Sequence, residues 1–414
     1  MVKEQLWDEI NAMPVFDSHE HLEGFAELEQ ENFNLRYLLS GNYLDVPRRA
    51  LMTWEEYAAA VNTHAGHESL LFNDYAFRTL YGIPLYPATA DNLAQLDETV
   101  RSQYKEQGPD YLPSFLRDTM HVKYLLHDFM NRPGVYSPFW ATDRMAQEFG
   151  IRHAFRIDTL MRLETVANPR TSYLGEYASA HDLPLNSMAD CEDALAKLLN
   201  EYACPPRATC IKIGSAYDQS IDYSFVEEYG SDWNFGANLD IRKLTVEEKR
   251  RFSDWMFTQV CIFAWEHKLP VEVHTGLAKI EGSNPLNLVN FMRAFPNVPF
   301  DLFHAGYPWS NLMAGILSQV GNAWLDMCWA PIISRDTAIR TLTDVIAFGQ
   351  TWKTIGFGGD CRSVQGSFGA LQFAKEVIVE ALVPFVEKGR ITFADAIDIA
   401  ERFLYSNGTR LFPI

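Results

Sequence analysis

The chain is poor in several things that would define other classes of protein. Its six cysteines, Cys191, Cys204, Cys210, Cys261, Cys328 and Cys361, are scattered over 414 residues with no CxxC pair. That spacing argues against a disulfide framework and a zinc knuckle, and it reads as reduced thiols. Basic charge is also scarce: Lys plus Arg number 35 against 54 Asp plus Glu, a formal net charge of −19. Nonspecific binding to nucleic acid or to an anionic membrane surface is thereby disfavoured. The N-terminal MVKEQLWDEI carries acidic residues and no long apolar run, so neither a signal peptide nor a spanning helix is expected. There is no internal repeat, no low-complexity tract and no glycine-rich phosphate loop after a strand. A cytoplasmic protein with a small-molecule partner is the expectation that remains.

What is present is material for a large core, with hydrophobic residues at 47% and charged ones at 21%. Short β-branched, apolar runs alternate with longer amphipathic stretches, as in βα units that feed a parallel sheet. Eight runs can be marked, at residues 14–19, 121–127, 152–158, 209–215, 270–276, 299–306, 323–329 and 353–360. The fourth is followed by TVEEKRRFSDWMFTQVCIFAWEHK, a helix with Thr245 as N-cap and acidic residues in its first turn. The eighth unit closes with ITFADAIDIAERFLYSNGTRLF, where Asn407 and Gly408 read as a C-cap.

This pattern predicts a (β/α)8 TIM barrel built from residues 1–24 and 119–414. The gap between the first two runs far exceeds the thirty or so residues a βα unit needs, so residues 25–118 read as an insertion. Segments such as TWEEYAAAVNTH and NDYAFRTLYG make it helical, a cap over the barrel mouth whose aromatics would also suit a homo-oligomer interface. A second excursion at 216–240 is aromatic and acidic, and fits either an active-site loop or a plain surface loop.

In a barrel the residues at the C-terminal ends of the strands converge, so what closes each run is informative. The first run ends in His19 and His21, the fourth holds Lys212, the fifth ends in His274, the sixth in His304 and the eighth in Asp360. Residues 19 and 21 lie two apart, so on an extended strand both imidazoles face one side and can share an ion. Each histidine alone reads as well as a hydrogen-bonded core residue. Four of the eleven histidines at strand ends, with an aspartate after Gly-Gly at the last, make a site the better reading. His64, His67, His181 and His267 read as surface or packing residues, and His127 is left open.

As an ordered set these residues resemble the amidohydrolase superfamily of metal-dependent barrels. The resemblance implies that His19, His21 and Asp360 bind a divalent metal, with His274 in the set or beside it, and that Asp360 also transfers protons. Zinc is the leading expectation; manganese, iron and cobalt suit the same donors. Lys212 matches a position that is carboxylated and bridges two ions in binuclear members; an ion-paired or substrate-facing lysine is the alternative.

A narrower likeness, in YLLSGNYLDVPRRA, FRID and GDCRS, is similar to uronate isomerase. It implies that Arg156, Arg362, Tyr43 and Arg48 contact an acidic substrate. HAGYPW and the shorter chain depart from that branch. The expected activity is hydrolysis of an amide, ester or lactone of a small acid, with His304 or the metal polarising the carbonyl. Aldose-ketose isomerisation and nonoxidative decarboxylation suit the same residues. A non-catalytic metal-binding scaffold is the remaining alternative.

Overall fold

The computed structural model describes residues 2–23, 34–39, 44, 52–108, 110–128, 140–161, 173–227 and 244–414. Every one of the eight marked runs forms a strand: β1 Val15–Glu20, β2 Val122–Asp128, β3 Ile151–Arg156, β4 Cys210–Ile213, β5 Val271–Val273, β6 Phe300–Leu302, β7 Ala323–Asp326 and β8 Thr354–Ile355. They form one sheet in the order β1 to β8, each next to its neighbour in sequence, which is the strand order of a (β/α)8 fold. Pairing is parallel, as in β1 with β2 and β3 through β7. Residues of both orientations are buried along β1, β4, β5, β6 and β7, as expected of strands covered on two faces.

The chain divides into two compact units. The first comprises Met1–His127, Ser137–Ile151 and Asp326–Gly408; the second comprises Asp128–Tyr136, Arg152–Leu325 and Thr409–Ile414. In the first unit β1 pairs with β2, and its Ser18 N–H donates to the Phe357 carbonyl just beyond β8. The inserted segment is helical where described, with helices Trp54–Asn62, Glu68–Tyr81 and Ala90–Gln107. Thr53 opens the first of these with a capping box to Glu56, and Gly82 ends the second in the left-handed conformation. Tyr104 Oη donates to Gln365 Oε1 at 2.8 Å, and Gln365 Nε2 donates to Tyr81 Oη at 2.8 Å. The insertion is thus tied to the start of helix Val364–Glu387, which leaves directly from the turn bearing Asp360.

The helix after β4 spans Val246–His267 with Thr245 as N-cap and a full capping box to Glu248. The last helical segment differs from expectation. Asn407 and Gly408 do not end it: a π-turn at Arg402–Ser406 runs into a further helix, Asn407–Leu411. Glycine stands at 408 because a Cβ there would overlap the Phe16 ring, so the requirement is space and not a left-handed cap.

Candidate active site

The first unit holds the HxH pair and Asp360. Alternation along β1 brings the His19 and His21 rings together, centroids 4.8 Å apart and nearly perpendicular. Asp360 Oδ1 lies 3.1 Å from His21 Nε2 and 3.8 Å from His19 Nε2. His19 is buried, while His21 and Asp360 keep slight exposure. Two imidazoles and a carboxylate this close together are donors of the kind that can hold a divalent cation. Cys328 Sγ is also within 4.8 Å of an Asp360 oxygen.

Asp360 is held in an uncommon backbone conformation, φ 49°. Three successive amides of its turn donate into β1: Gly359 N–H to Asp17 Oδ1 at 3.1 Å, Asp360 N–H to the His19 carbonyl at 2.8 Å, and Cys361 N–H to Glu20 Oε2 at 2.7 Å. Glu20 Oε1 also accepts the Ser367 hydroxyl, and a Cβ at Gly359 would overlap that oxygen. Burial raises the pKa of both Asp17 and Glu20, and the adjacent Asp17 adds to the rise at Glu20. Two residues on, Arg362 is half-buried, and among the described residues its guanidinium has no ionic partner.

The second unit gathers Lys212, His274, His304 and Arg156. His304 Nε2 is 3.1 Å from His274 Nδ1, and His274 Nε2 is 2.6 Å from the Leu277 carbonyl. A carbonyl only accepts, so His274 carries its proton on Nε2; in the neutral ring Nδ1 then accepts from His304 Nε2–H. His304 and Ala305 both have positive φ, 63° and 49°. Two successive left-handed non-glycine residues just after β6 are backbone strain of the kind found at functional sites. The half-exposed Tyr217 ring lies over His274, centroids 4.4 Å apart.

Lys212 is buried, its Nζ 3.2 Å from the centre of the Phe303 ring. Pairing register aligns Arg156, Lys212, Glu272 and Asp301 across β3 to β6. Arg156 is held by two carboxylates, Asp128 Oδ2 at 2.5 Å from Nη1 and Asp158 against Nε. Burial opposes its charge, but the two carboxylates outweigh it and raise the pKa.

Tyr43 and Arg48, and residues 228–240 of the second excursion, lie outside the described residues. His127 proves to be a core residue, its Nε2 2.6 Å from the Leu22 carbonyl and its ring beside Trp140. Asp17, Glu20, Asp128, Asp158 and Tyr217 were not singled out in the sequence. Asp17 and Glu20 sit within the HxH segment and Asp158 within FRID, so proximity to the singled-out residues was the available signal.

Residues 229–413 match the family described as Amidohydrolase, a stretch somewhat under half the chain that contains His274, His304, Asp360 and Arg362. The protein fluG of Emericella nidulans is 24% identical over 183 residues, which is 40% of this chain and 20% of that protein. The chain therefore spans only a small part of this relative. In fold, it is similar to uronate isomerase from Thermotoga maritima, with a TM-score of 0.74 at 16% identity over 100% of this chain and 97% of that one. Glucuronate isomerase from Caulobacter crescentus gives a TM-score of 0.75 at 16% identity, over 99% and 93% of the two chains.

Proposed function

From this resemblance to the amidohydrolase superfamily, we propose that the chain is a metal-dependent enzyme acting on a small carboxylate-bearing substrate by hydrolysis of an amide, ester or lactone. The observation that carries the reading is Asp360 Oδ1 standing 3.1 Å from His21 Nε2 and 3.8 Å from His19 Nε2. These three residues would hold a divalent cation, zinc first among the candidates. A cation there would supply Lewis acidity, bringing the pKa of water down to about 7.

The chain's own groups then have separate tasks. Asp360 takes the proton of the attacking water and returns it to the leaving nitrogen or oxygen. Arg362, whose guanidinium is not engaged by a carboxylate among the described residues, grips the substrate acid in a two-pronged contact. Arg156 contributes less directly, because Asp128 and Asp158 already neutralise it. Support for hydrolysis comes from the family match, which covers Asp360 and Arg362.

The test is turnover of esters, lactones and amides of small acids by the zinc-loaded chain. Asp360→Asn should abolish turnover with the fold intact. Arg362→Ala should raise KM for acids by about tenfold to a hundredfold, the loss of one charge-assisted contact, and leave neutral analogues unchanged. Equal loss on both classes sinks the carboxylate grip.

A second reading, isomerisation of a sugar acid, is favoured by GDCRS at the end of β8 and by the full-length likeness to two uronate isomerases. There Asp360 would move a proton between adjacent carbons. Aldose-ketose interconversion of a uronate without any hydrolytic turnover would replace the first reading by this one.

A further inference from the structure

We propose that Glu20, aided by Asp17, is a positioning residue that fixes the turn of residues 359–361 and so aims the Asp360 carboxylate at His19 and His21; this rests on the metal-site reading above. Both acids are completely buried. Burying a carboxyl costs several kcal/mol unless its oxygens are satisfied, and an apolar side chain of similar volume would avoid that cost. What the two acids gain here is the backbone of one turn. Asp17 takes the Gly359 N–H, Glu20 takes the Cys361 N–H, and between them the Asp360 N–H goes to the His19 carbonyl.

Asp17 and Glu20 are three residues apart, yet both reach that turn because the β1 register shifts between them. Asp360 itself sits at φ 49°, a conformation that costs an L-residue about 1–2 kcal/mol. Left to itself, such a residue would relax and swing its carboxylate off the imidazoles. Amide donors on either side, locked onto buried acids, prevent it. Position 359 is matched to this arrangement, since glycine leaves the space that Glu20 Oε1 occupies. Ser367, one turn into the following helix, holds the same oxygen. Glu20 makes none of the expected metal or substrate contacts, and its influence passes through Asp360.

The experiment measures zinc affinity of the full-length, metal-stripped chain by competition with a chromophoric chelator, with circular dichroism confirming the fold. Glu20→Ala should weaken binding about tenfold or more, the scale seen when the support of a ligand is removed. Glu20→Gln keeps an acceptor for the Cys361 amide and can donate to Ser367 Oγ, so it should stay within about threefold. In an Asp360→Ala background, Glu20→Ala should cause no further loss, because there is no carboxylate left to aim. Equal losses in both backgrounds, or none in the first, overturn the proposal.

Should Glu20→Ala fail to fold, Ser367→Ala serves instead. It removes one hydroxyl and should weaken zinc binding only while Asp360 is present; unchanged affinity overturns the proposal. A native chain that binds no zinc, manganese or cobalt overturns the metal reading and this role with it. Metal binding that is indifferent to Glu20 and Ser367 overturns this role alone.

Discussion

His304 Nε2 and His274 Nδ1 face each other at 3.1 Å, and the Leu277 carbonyl fixes which way the proton between them points. Long-range proton–nitrogen NMR spectra of the metal-free chain at pH 8 should therefore show both rings protonated on Nε2. In His304→Ala the His274 ring should keep its Nε2 proton, because Leu277 is still its acceptor. A proton on His274 Nδ1 in the native chain would contradict the arrangement.

Arg156 is bound by Asp128, whose carboxylate is fully buried, and by Asp158. Arg156→Met withdraws the guanidinium from the buried Asp128 carboxylate. It should lower the unfolding free energy by about 3 kcal/mol or more in urea titrations. Asp128→Leu combined with Arg156→Met should recover part of that loss, because no buried carboxylate then remains at position 128. A loss under about 1 kcal/mol in the single variant would place the pair among weak surface bridges.

Lys375 is buried in helix Val364–Glu387 and donates from Nζ to the Asn11 carbonyl, at the end of the N-terminal helix, at 2.8 Å. Burial lowers its pKa from 10.5 to about 8. Below pH 8 both folded and unfolded chains hold the proton, and the native state bears the full cost of the buried charge. Between pH 8 and 10.5 the unfolded chain still holds the proton that the native chain has released. Stability from this group therefore rises with pH across that window, by about 3 kcal/mol in total. Lys375→Met should remove the rise, read as the difference between the two unfolding curves at pH 7.5 and pH 10.5.

Five of the six cysteines are buried, and burial raises the pKa of Cys191, Cys210, Cys261 and Cys361. Cys204 is half-buried, with His267 Nδ1 at 3.6 Å from its sulfur. A thiol reagent such as dithionitrobenzoate should modify one cysteine per native chain quickly, absent in Cys204→Ser, and six after unfolding. Two or more fast thiols in the native chain would show that the burial pattern is wrong.

The strands were legible because each lies in a short, mostly apolar run, a signal local to the chain, and five of them are buried on both faces. The helix cap at Thr245 was equally plain, since an N-cap contact joins residues only three apart in the chain. Gly408 misled for a related reason. A glycine near a helix end reads as a cap, and only the Phe16 ring, nearly four hundred residues away in sequence, explains why no side chain fits there.

For the site, the sequence by itself determined that His19 and Lys212 lie on strands and that His21, His274, His304 and Asp360 lie in the segments that follow strands, because strand periodicity and order place them there. It did not determine their partners. That His274 leans on His304, that two acids neutralise Arg156 while Arg362 has no such partner among the described residues, and that buried Asp17 and Glu20 grip the turn of Asp360 were decided by the tertiary structure. Each of these depends on hydrogen bonds and ion pairs whose direction and distance arise only when segments distant along the chain are packed together, and no periodicity in the sequence records them.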